Sequence, residues 1–362
     1  MHVLHILNHV LEAGNGIVNV TVDLACLQAQ AGCKVGVASA GGEYEALLMR
    51  YGVRHFQLDQ TRTPINLIKA AIGYRTIVRE FDPDIVHAHM MTGVVLASLL
   101  RFQSQYALVS TVHNEFQRSA VLMGWADRTI AVSKAVSASM LQRGIPQRKL
   151  RVVTNGTLGS PRTRQLVDYL PAPLQRPAIV TVAGMYKRKG IAELIAAFAQ
   201  IAADFPAVNL YLVGDGPDRE LFEAQARNTH VSDRIHFERF QPQPQRYLLA
   251  TDIFVLASHR EPFGLVLSEA REAGCAIVAT QVDGIPEALD GGEAGILVPA
   301  ADSHALATAL AKLLNEPQVL HAWKEKARRN LERFTVTRVH EETLALYNEL
   351  INSENIASDP AC

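Results

Sequence analysis

Two carboxylates, Glu261 and Glu269, stand eight residues apart in EPFGLVLSE, on either side of a helix start. An apolar strand, Asp252–Ala257, runs into the loop that holds Glu261. Pro-Phe-Gly then breaks the chain before a helical pattern brings Glu269. The N–H groups around Phe263, Gly264 and Leu265 begin a fresh helix and are offered to a phosphate or to hydroxyls. A carboxylate in the first turns, such as Glu269, can accept both hydrogen bonds of a vicinal diol. Beside anionic phosphates, carboxylates are drawn to hydroxyls rather than to the phosphates. A second set lies in AGMYKRKG, Ala183–Gly190, where Lys187, Arg188 and Lys189 occupy a loop between a strand and a helix. Clustered cations are natural partners for a diphosphate. Gly184 opens that loop, and Gly214, in VGDGP, follows the next strand as a tight turn. Structural alternatives stand beside these readings. The cations could be solvated loop charge, Glu269 could pair with Arg271 or Arg239, and Glu261 could complement the helix dipole.

The first half carries weaker signals of the same kind. Asn8–Ile17 follows the first strand and opens the first helix, with Asn15 and Gly16 at the turn. Both a phosphate contact and an ordinary tight turn fit it. As a dinucleotide fingerprint it fails, because Asn19 replaces the third glycine and the next strand ends in Ser39-Ala40 without an acid. His113, in TVHNE, sits at a strand end where an imidazole can bond a sugar hydroxyl or assist proton transfer; a structural role is the alternative. His87 and His89, in DIVHAH, are expected to face opposite sides of a strand and so not to share a metal. Asp82-Pro83-Asp84 has the look of a cation-binding DxD, but it precedes a strand and reads as structural.

Positioning these residues requires strands that deliver loops to a common edge. Short apolar runs alternate with amphipathic segments throughout. The expected strands in the first half are His2–Leu7, Lys34–Ser39, Asp84–His89, Ala107–Val112, Arg128–Val132 and Arg151–Thr154. After a Pro- and Gly-rich linker between Leu158 and Pro177 come Ala178–Ala183, Asn209–Val213, Arg234–Phe237, Asp252–Ala257, Cys275–Thr280 and Ile296–Val298. Nearly continuous apolar strands alternating with helices predict parallel sheets buried on both faces. The fold class is therefore α/β. Two Rossmann-like doubly wound parallel-sheet domains, 1–165 and 166–340, are expected to face an interdomain cleft, with a final helix over 341–354 packing back on the first.

Composition excludes several classes. At 48% hydrophobic and 20% charged the chain is globular, and a net charge of −1 gives no polyanion-binding signature, so no nucleic-acid partner is expected. Charge is uneven: residues 1–170 hold 17 Lys/Arg against 11 Asp/Glu, with ten against three in 101–170. That basic stretch suits an anionic substrate or peripheral contact with a membrane. Cys26, Cys33, Cys275 and Cys362 are scattered without ligand spacing, which argues against a disulfide scaffold or zinc site and suits a reducing cytosol. MHVLHILNHV reads as a strand rather than a cationic leader, so no signal peptide is expected. The apolar run Val94–Leu100 is far short of the ~20 residues that span a bilayer.

EPFGLVLSE, with EAREAGCAIVAT, DGIPE, the early glycine loop, DIVHAH, TVHN and Asn155-Gly156, resembles the retaining glycosyltransferases of the GT-B fold, glycosyltransferase family four (glycosyl transferases group 1). The resemblance implies that Glu269 holds the ribose hydroxyls of a nucleotide-diphosphate sugar. Glu261, with backbone at Phe263 and Gly264, would hold the donor sugar near the reacting carbon. Lys189 would neutralise the leaving diphosphate, Gly16 would approach it, and His113 would contact the sugar. Several residues depart from the family pattern: Met185 where Arg is frequent, so that Arg188 or Lys187 replaces the charge; Asn114 for Asp after the His; Leu158 for Asp; and Asp283 for Gly. The implied activity is metal-independent, retaining transfer of a hexose to a saccharide or lipid-linked acceptor in polysaccharide, lipopolysaccharide or glycolipid synthesis. No cofactor is implied beyond the donor substrate. UDP is the expected carrier on family frequency, with GDP and ADP as rivals. The expected location is cytoplasmic, with peripheral contact at the inner face of the membrane through 101–170. A nucleotide-sugar epimerase and a non-catalytic sugar-nucleotide-binding protein are the alternatives.

Overall fold

The computed structural model describes residues 1–101 and 105–358 in two compact units. One takes Met1–Thr163 and the chain from Phe334 onward; the other takes Arg164–Arg333. The breaks expected at 165 and 340 fall at Thr163 and Arg333. Cys362 and part of the basic 101–170 stretch, residues 102–104, lie outside the described residues.

The first unit is built on seven parallel strands: β1 (His2–Ile6), β2 (Lys34–Ser39), β3 (Arg54–Gln57), β4 (Ile85–Ala88), β5 (Ala107–Val112), β6 (Arg128–Ala131) and β7 (Leu150–Val152). Their order is β3-β2-β1-β4-β5-β6-β7. The second has six: β8 (Ala178–Val182), β9 (Asn209–Val213), β10 (Ile235–Arg239), β11 (Ile253–Leu256), β12 (Ala276–Thr280) and β13 (Ile296–Val298), ordered β10-β9-β8-β11-β12-β13. Central strands such as β5, β9 and β12 are buried at every residue, as their uninterrupted apolar pattern requires. β3 went unpredicted because RHFQ is an edge strand with only Phe56 buried, leaving no apolar run to read.

In each sheet the chain walks outward from one central strand and then returns to its other side. β1 and β4, and likewise β8 and β11, are therefore neighbours whose connections leave in opposite directions. The register pairs His5 with His87 in the first sheet and Phe254 with Val180 in the second. Loops at the carboxyl ends of such a strand pair diverge and leave a crevice, where open α/β sheets take their ligands.

Packing holds these edges in place. In the second unit Ile191, Leu194, Ile195 and Phe198, on the helix Ile191–Ile201, pack with Leu306, Leu310 and Leu313 of the helix Ser303–Asn315. Full burial of each such side chain contributes roughly 1.5–3 kcal/mol. The start of β11 is pinned by Asp252, whose carboxylate accepts from Ala178 N at 3.0 Å, Lys324 Nζ at 3.0 Å and the Arg176 guanidinium at 2.5 and 3.0 Å. Burial opposes its ionisation, yet these donors hold the carboxyl down at about 2.

In the first unit Val18, Val22, Ala25 and Cys26 of the helix Gly16–Gln30 pack on Val35, Val37, Leu47 and Leu48. The final helix, Val336–Ser358, packs on this same helix. Its return is clamped where the chain left: Thr157 N and Leu158 N donate to Phe334 O at 2.9 and 3.0 Å, and Val336 N donates to Leu158 O at 2.9 Å. A Cβ at Gly156 would lie 2.6 Å from Phe334 O, so Asn155-Gly156 is a close-approach site. Asp82 takes a left-handed backbone after the helix Pro64–Phe81, and Asp84 accepts from His2 N at 2.6 Å, so the DPD segment serves as a strand entry. No helix among the described residues is long and apolar enough to cross a membrane.

Candidate active site

The loops after β8 and β11 meet. Lys189, seven residues beyond β8, forms an ion pair with Glu261, five residues beyond β11. The two side chains are only 14% and 11% exposed, so their mutual attraction is weakly screened. Ser258 Oγ supports the same carboxylate oxygen at 3.3 Å. His259 N donates to Arg188 O at 2.8 Å, joining the loops through backbone as well. This proximity depends on Gly190, in a left-handed conformation (φ 66°). A Cβ there would stand 1.8 Å from Ala257 O, so no side chain fits.

Met185, at the position where the resembled family frequently has Arg, is fully buried in the core of the second unit. Its N–H donates to Asp215 O at 2.9 Å and its carbonyl accepts from Asp218 N at 3.0 Å, so it anchors the cationic loop from beneath. Lys187 N is held by Asp218 Oδ2 at 2.8 Å, and the Arg188 guanidinium lies 5.2 Å from the Tyr186 ring centre. Gly184 sits under Tyr186, whose ring a Cβ would meet at 2.8 Å. Gly214 has φ 135°, and a Cβ would meet Ala183 O at 2.0 Å, which explains this glycine by backbone packing.

Beyond Glu261 the chain turns at Gly264 (φ 85°) into the helix Leu265–Glu272, which has no side-chain cap. Phe263 is buried at 2% exposure, so it offers its neighbourhood backbone rather than a ring. Leu265 opens the helix, and Glu269 lies half-buried one turn on. Arg271 is fully buried and gives its donors to Ala327 O, Ala288 O, Arg329 O and Asp290 Oδ2 at 2.6–2.9 Å. Asp283, noticed in the sequence only as a departure, has a working role. Its Oδ2 accepts from Glu261 N at 2.9 Å and Arg260 Nε at 2.8 Å, and Gly284 N donates to Glu261 O at 3.0 Å. Glu261 is thus fixed on both sides of its own peptide.

In the first unit Asn15 caps the helix Gly16–Gln30, its side chain accepting from Ile17 N at 3.0 Å, and Gly16 is the first helical residue. His113 follows β5 and is 9% exposed. It does not stand alone. His113 Nε2 lies 3.1 Å from His89 Nδ1, and His89 Nε2 lies 2.9 Å from His5 Nδ1. His87 bonds Thr111 Oγ1 at 2.6 Å and Tyr347 Oη at 2.5 Å. The expectation that His87 and His89 face opposite sides is wrong: residues two apart on a strand share a face, and these ring centres are 4.2 Å apart. Burial lowers His5 to about 4 and His113 to about 3 and takes His87 and His89 well below their usual value, so all four rings are neutral at pH 7. His5 escaped notice in the sequence as one polar residue in an apolar strand; its place opposite His87 follows only from strand order.

Two family models match the chain: "Glycosyltransferase Family 4" over residues 14–157 and "Glycosyl transferases group 1" over residues 165–330. N-acetyl-alpha-D-glucosaminyl L-malate synthase of Bacillus anthracis is 29% identical over 49% of this chain and 46% of its own length. The lipopolysaccharide core biosynthesis glycosyltransferase LpsE of Rhizobium meliloti (strain 1021) is 32% identical over 46% and 48%. The chain thus spans about half the length of these two curated relatives. Among solved structures, Anabaena Alr3699/HepE in complex with UDP and glucose superposes with a TM-score of 0.81 at 20% identity, covering 96% of this chain and 100% of that one.

Proposed function

The chain belongs to the group 1 glycosyltransferases of the GT-B fold, and from that premise we propose that it moves a hexose from a nucleotide-diphosphate sugar to a saccharide or lipid-linked acceptor with retention of configuration. The observation that carries this reading is the Lys189–Glu261 pair at the β8/β11 crevice, beside the open helix start at Gly264. A donor brings to that place both things the pair lacks. Its diphosphate takes the Lys189 ammonium, and its sugar hydroxyls replace that ammonium on Glu261. Glu269 accepts the ribose hydroxyls. Arg188, Lys189 and the N–H groups after Gly264 stabilise the departing diphosphate, so the proposal includes no metal. The first unit's share is Gly16 at the diphosphate and His113 at the transferred sugar.

In the reaction the bond from the anomeric carbon to the diphosphate oxygen breaks. A bond from the same carbon to the acceptor oxygen forms on the same face, and the acceptor's hydroxyl proton passes to the leaving phosphate oxygen. UDP is the proposed carrier, in keeping with the UDP-bound Anabaena structure, and lipopolysaccharide or glycolipid synthesis the proposed setting, in keeping with LpsE. The proposal places the enzyme in the cytoplasm, with peripheral membrane contact through the basic 101–170 stretch. Sedimentation with anionic vesicles at low and high salt tests that contact.

A thermal-shift panel of UDP-, GDP- and ADP-sugars tests the donor. A donor at a hundred times its Kd stabilises by about 2.7 kcal/mol, and a panel without any shift sinks the reading. Interconversion of the donor in the absence of acceptor would instead mark an epimerase. The anomeric configuration of the product, read by NMR, tests retention.

A further inference from the structure

The row of imidazoles in the first unit has a direction. Gln28, fully buried on the helix Gly16–Gln30, sits at its inner end, with Oε1 2.7 Å from His5 Nε2 and Nε2 3.4 Å from Tyr347 Oη. Gln28 Nε2 donates to the Tyr347 hydroxyl, which turns the Gln28 carbonyl to His5 Nε2, and the same hydroxyl lies 2.5 Å from His87 Nδ1. Burial pushes this phenol far up, and it stays protonated. A carbonyl oxygen only accepts, which puts the His5 proton on Nε2.

A neutral imidazole has one donor and one acceptor, so the rest of the row follows. His5 Nδ1 accepts from His89 Nε2, and His89 Nδ1 accepts from His113 Nε2. The nitrogen left over is His113 Nδ1, which carries a lone pair and has no hydrogen-bond partner among the described residues. One nitrogen from each of His5, His87 and His89 also lies within 4.8 Å of the others, close enough for a cation. All six ring nitrogens of the three are already engaged in hydrogen bonds, which favours a relay over a metal site.

We propose that Gln28, His5 and His89 are positioning residues that hold His113 as its Nε2–H tautomer, so that Nδ1 presents a hydrogen-bond acceptor to a substrate hydroxyl. That the hydroxyl belongs to the transferred sugar rests on the functional reading above; the tautomer does not. With the relay in this sense the sugar hydroxyl must donate to His113, and its own lone pairs stay available to a second donor.

Long-range ¹H–¹⁵N spectra of the full chain labelled at histidine, assigned with His113→Gln, read the tautomer directly. The expected result is one neutral form protonated at Nε2. Gln28→Met keeps length and packing but removes the amide. It should give a mixture of tautomers at His113 and lower kcat/KM about fivefold to tenfold, the weight of one hydrogen bond. Thr111→Val removes a bond of similar weight from His87, outside the row, and should leave the His113 spectrum unchanged. A wild-type His113 protonated at Nδ1, or a tautomer indifferent to Gln28→Met, overturns the relay. Spectra as expected from a chain that transfers no sugar would keep the relay and sink the functional reading alone.

Discussion

The two sheets share one topology and gather different chemistry at the same place in it. Beyond β8 and β11 the second unit joins an ammonium to a carboxylate, both carried on loops five to seven residues past the strands. Beyond and within β1, β4 and β5 the first unit lines up four neutral imidazoles, two on the strands and two one residue past their ends. The difference is one of partners. On loops held by Gly190 and Asp283 an ammonium and a carboxylate meet as an ion pair. A side chain within the sheet loses water on all sides, and burial discharges it. A shared scaffold thus carries an ion pair on loops and a row of hydrogen-bonded imidazoles on strands.

The largest test of this contrast is the charged pair itself. Lys189→Met and Glu261→Gln remove one charge each at nearly constant volume. Each should lower kcat/KM by on the order of 10²–10³, with the far-ultraviolet circular dichroism unchanged. Near-normal turnover in either variant would show that the pair only holds the loops together.

Acid separates the units next. His5 and His113 titrate at about 4 and 3 in the fold against 6.5 when free, so the stability they add is full above pH 6.5 and falls as pH drops towards those values. The loss reaches about 2 kcal/mol per ring by pH 5. Asp252 titrates at about 2 against 3.8, so its contribution is full above pH 3.8 and is lost as pH falls through about 2. Hydrogen exchange between pH 6.5 and 4 should therefore loosen the first unit before the second. Simultaneous loosening breaks the contrast.

Two glycines grade it further. Gly190→Ala forces a Cβ into Ala257 O and should destabilise the second unit by roughly 2–4 kcal/mol in urea melts. Gly32→Ala, also left-handed (φ 88°) but with nothing within 4 Å, should cost the first unit about 1 kcal/mol. Equal costs would mean that conformation rather than loop contact explains Gly190. The smallest effect belongs to Asp283→Gly, which keeps the left-handed backbone and removes the carboxylate that fixes Glu261 N. A threefold to tenfold fall in kcat/KM at almost constant stability is expected from one lost hydrogen bond.

Much of the fold was legible because buried parallel strands are written as apolar runs. Twelve strands could be read that way, and β3 could not, since its edge position leaves three of its four residues outside the core. The site was legible to the level of residue types and loops: Lys189, Glu261, Gly264 and Glu269 sit on the elements their spacing predicts. The partnership of Lys189 with Glu261 was not, since it joins positions 72 residues apart and arises from β8 lying beside β11. His87 and His89 were misjudged through the strand period, and with them the row that ends at His113. Asp283 could be seen only as an odd residue, because its role depends on a left-handed turn (φ 43°) that no local pattern announces.

The clamp between Gly156 and Phe334 makes the second unit an insertion in the first, which gives the chain a timetable during synthesis. Every strand of both sheets leaves the ribosome before Tyr347 does. The inserted unit has all its parts in hand by Arg333, while the earlier sheet still lacks the phenol that His87 bonds. Of the two units the one begun earlier is thus completed later, and the helix Val336–Ser358 arrives as the piece that seals the histidine row.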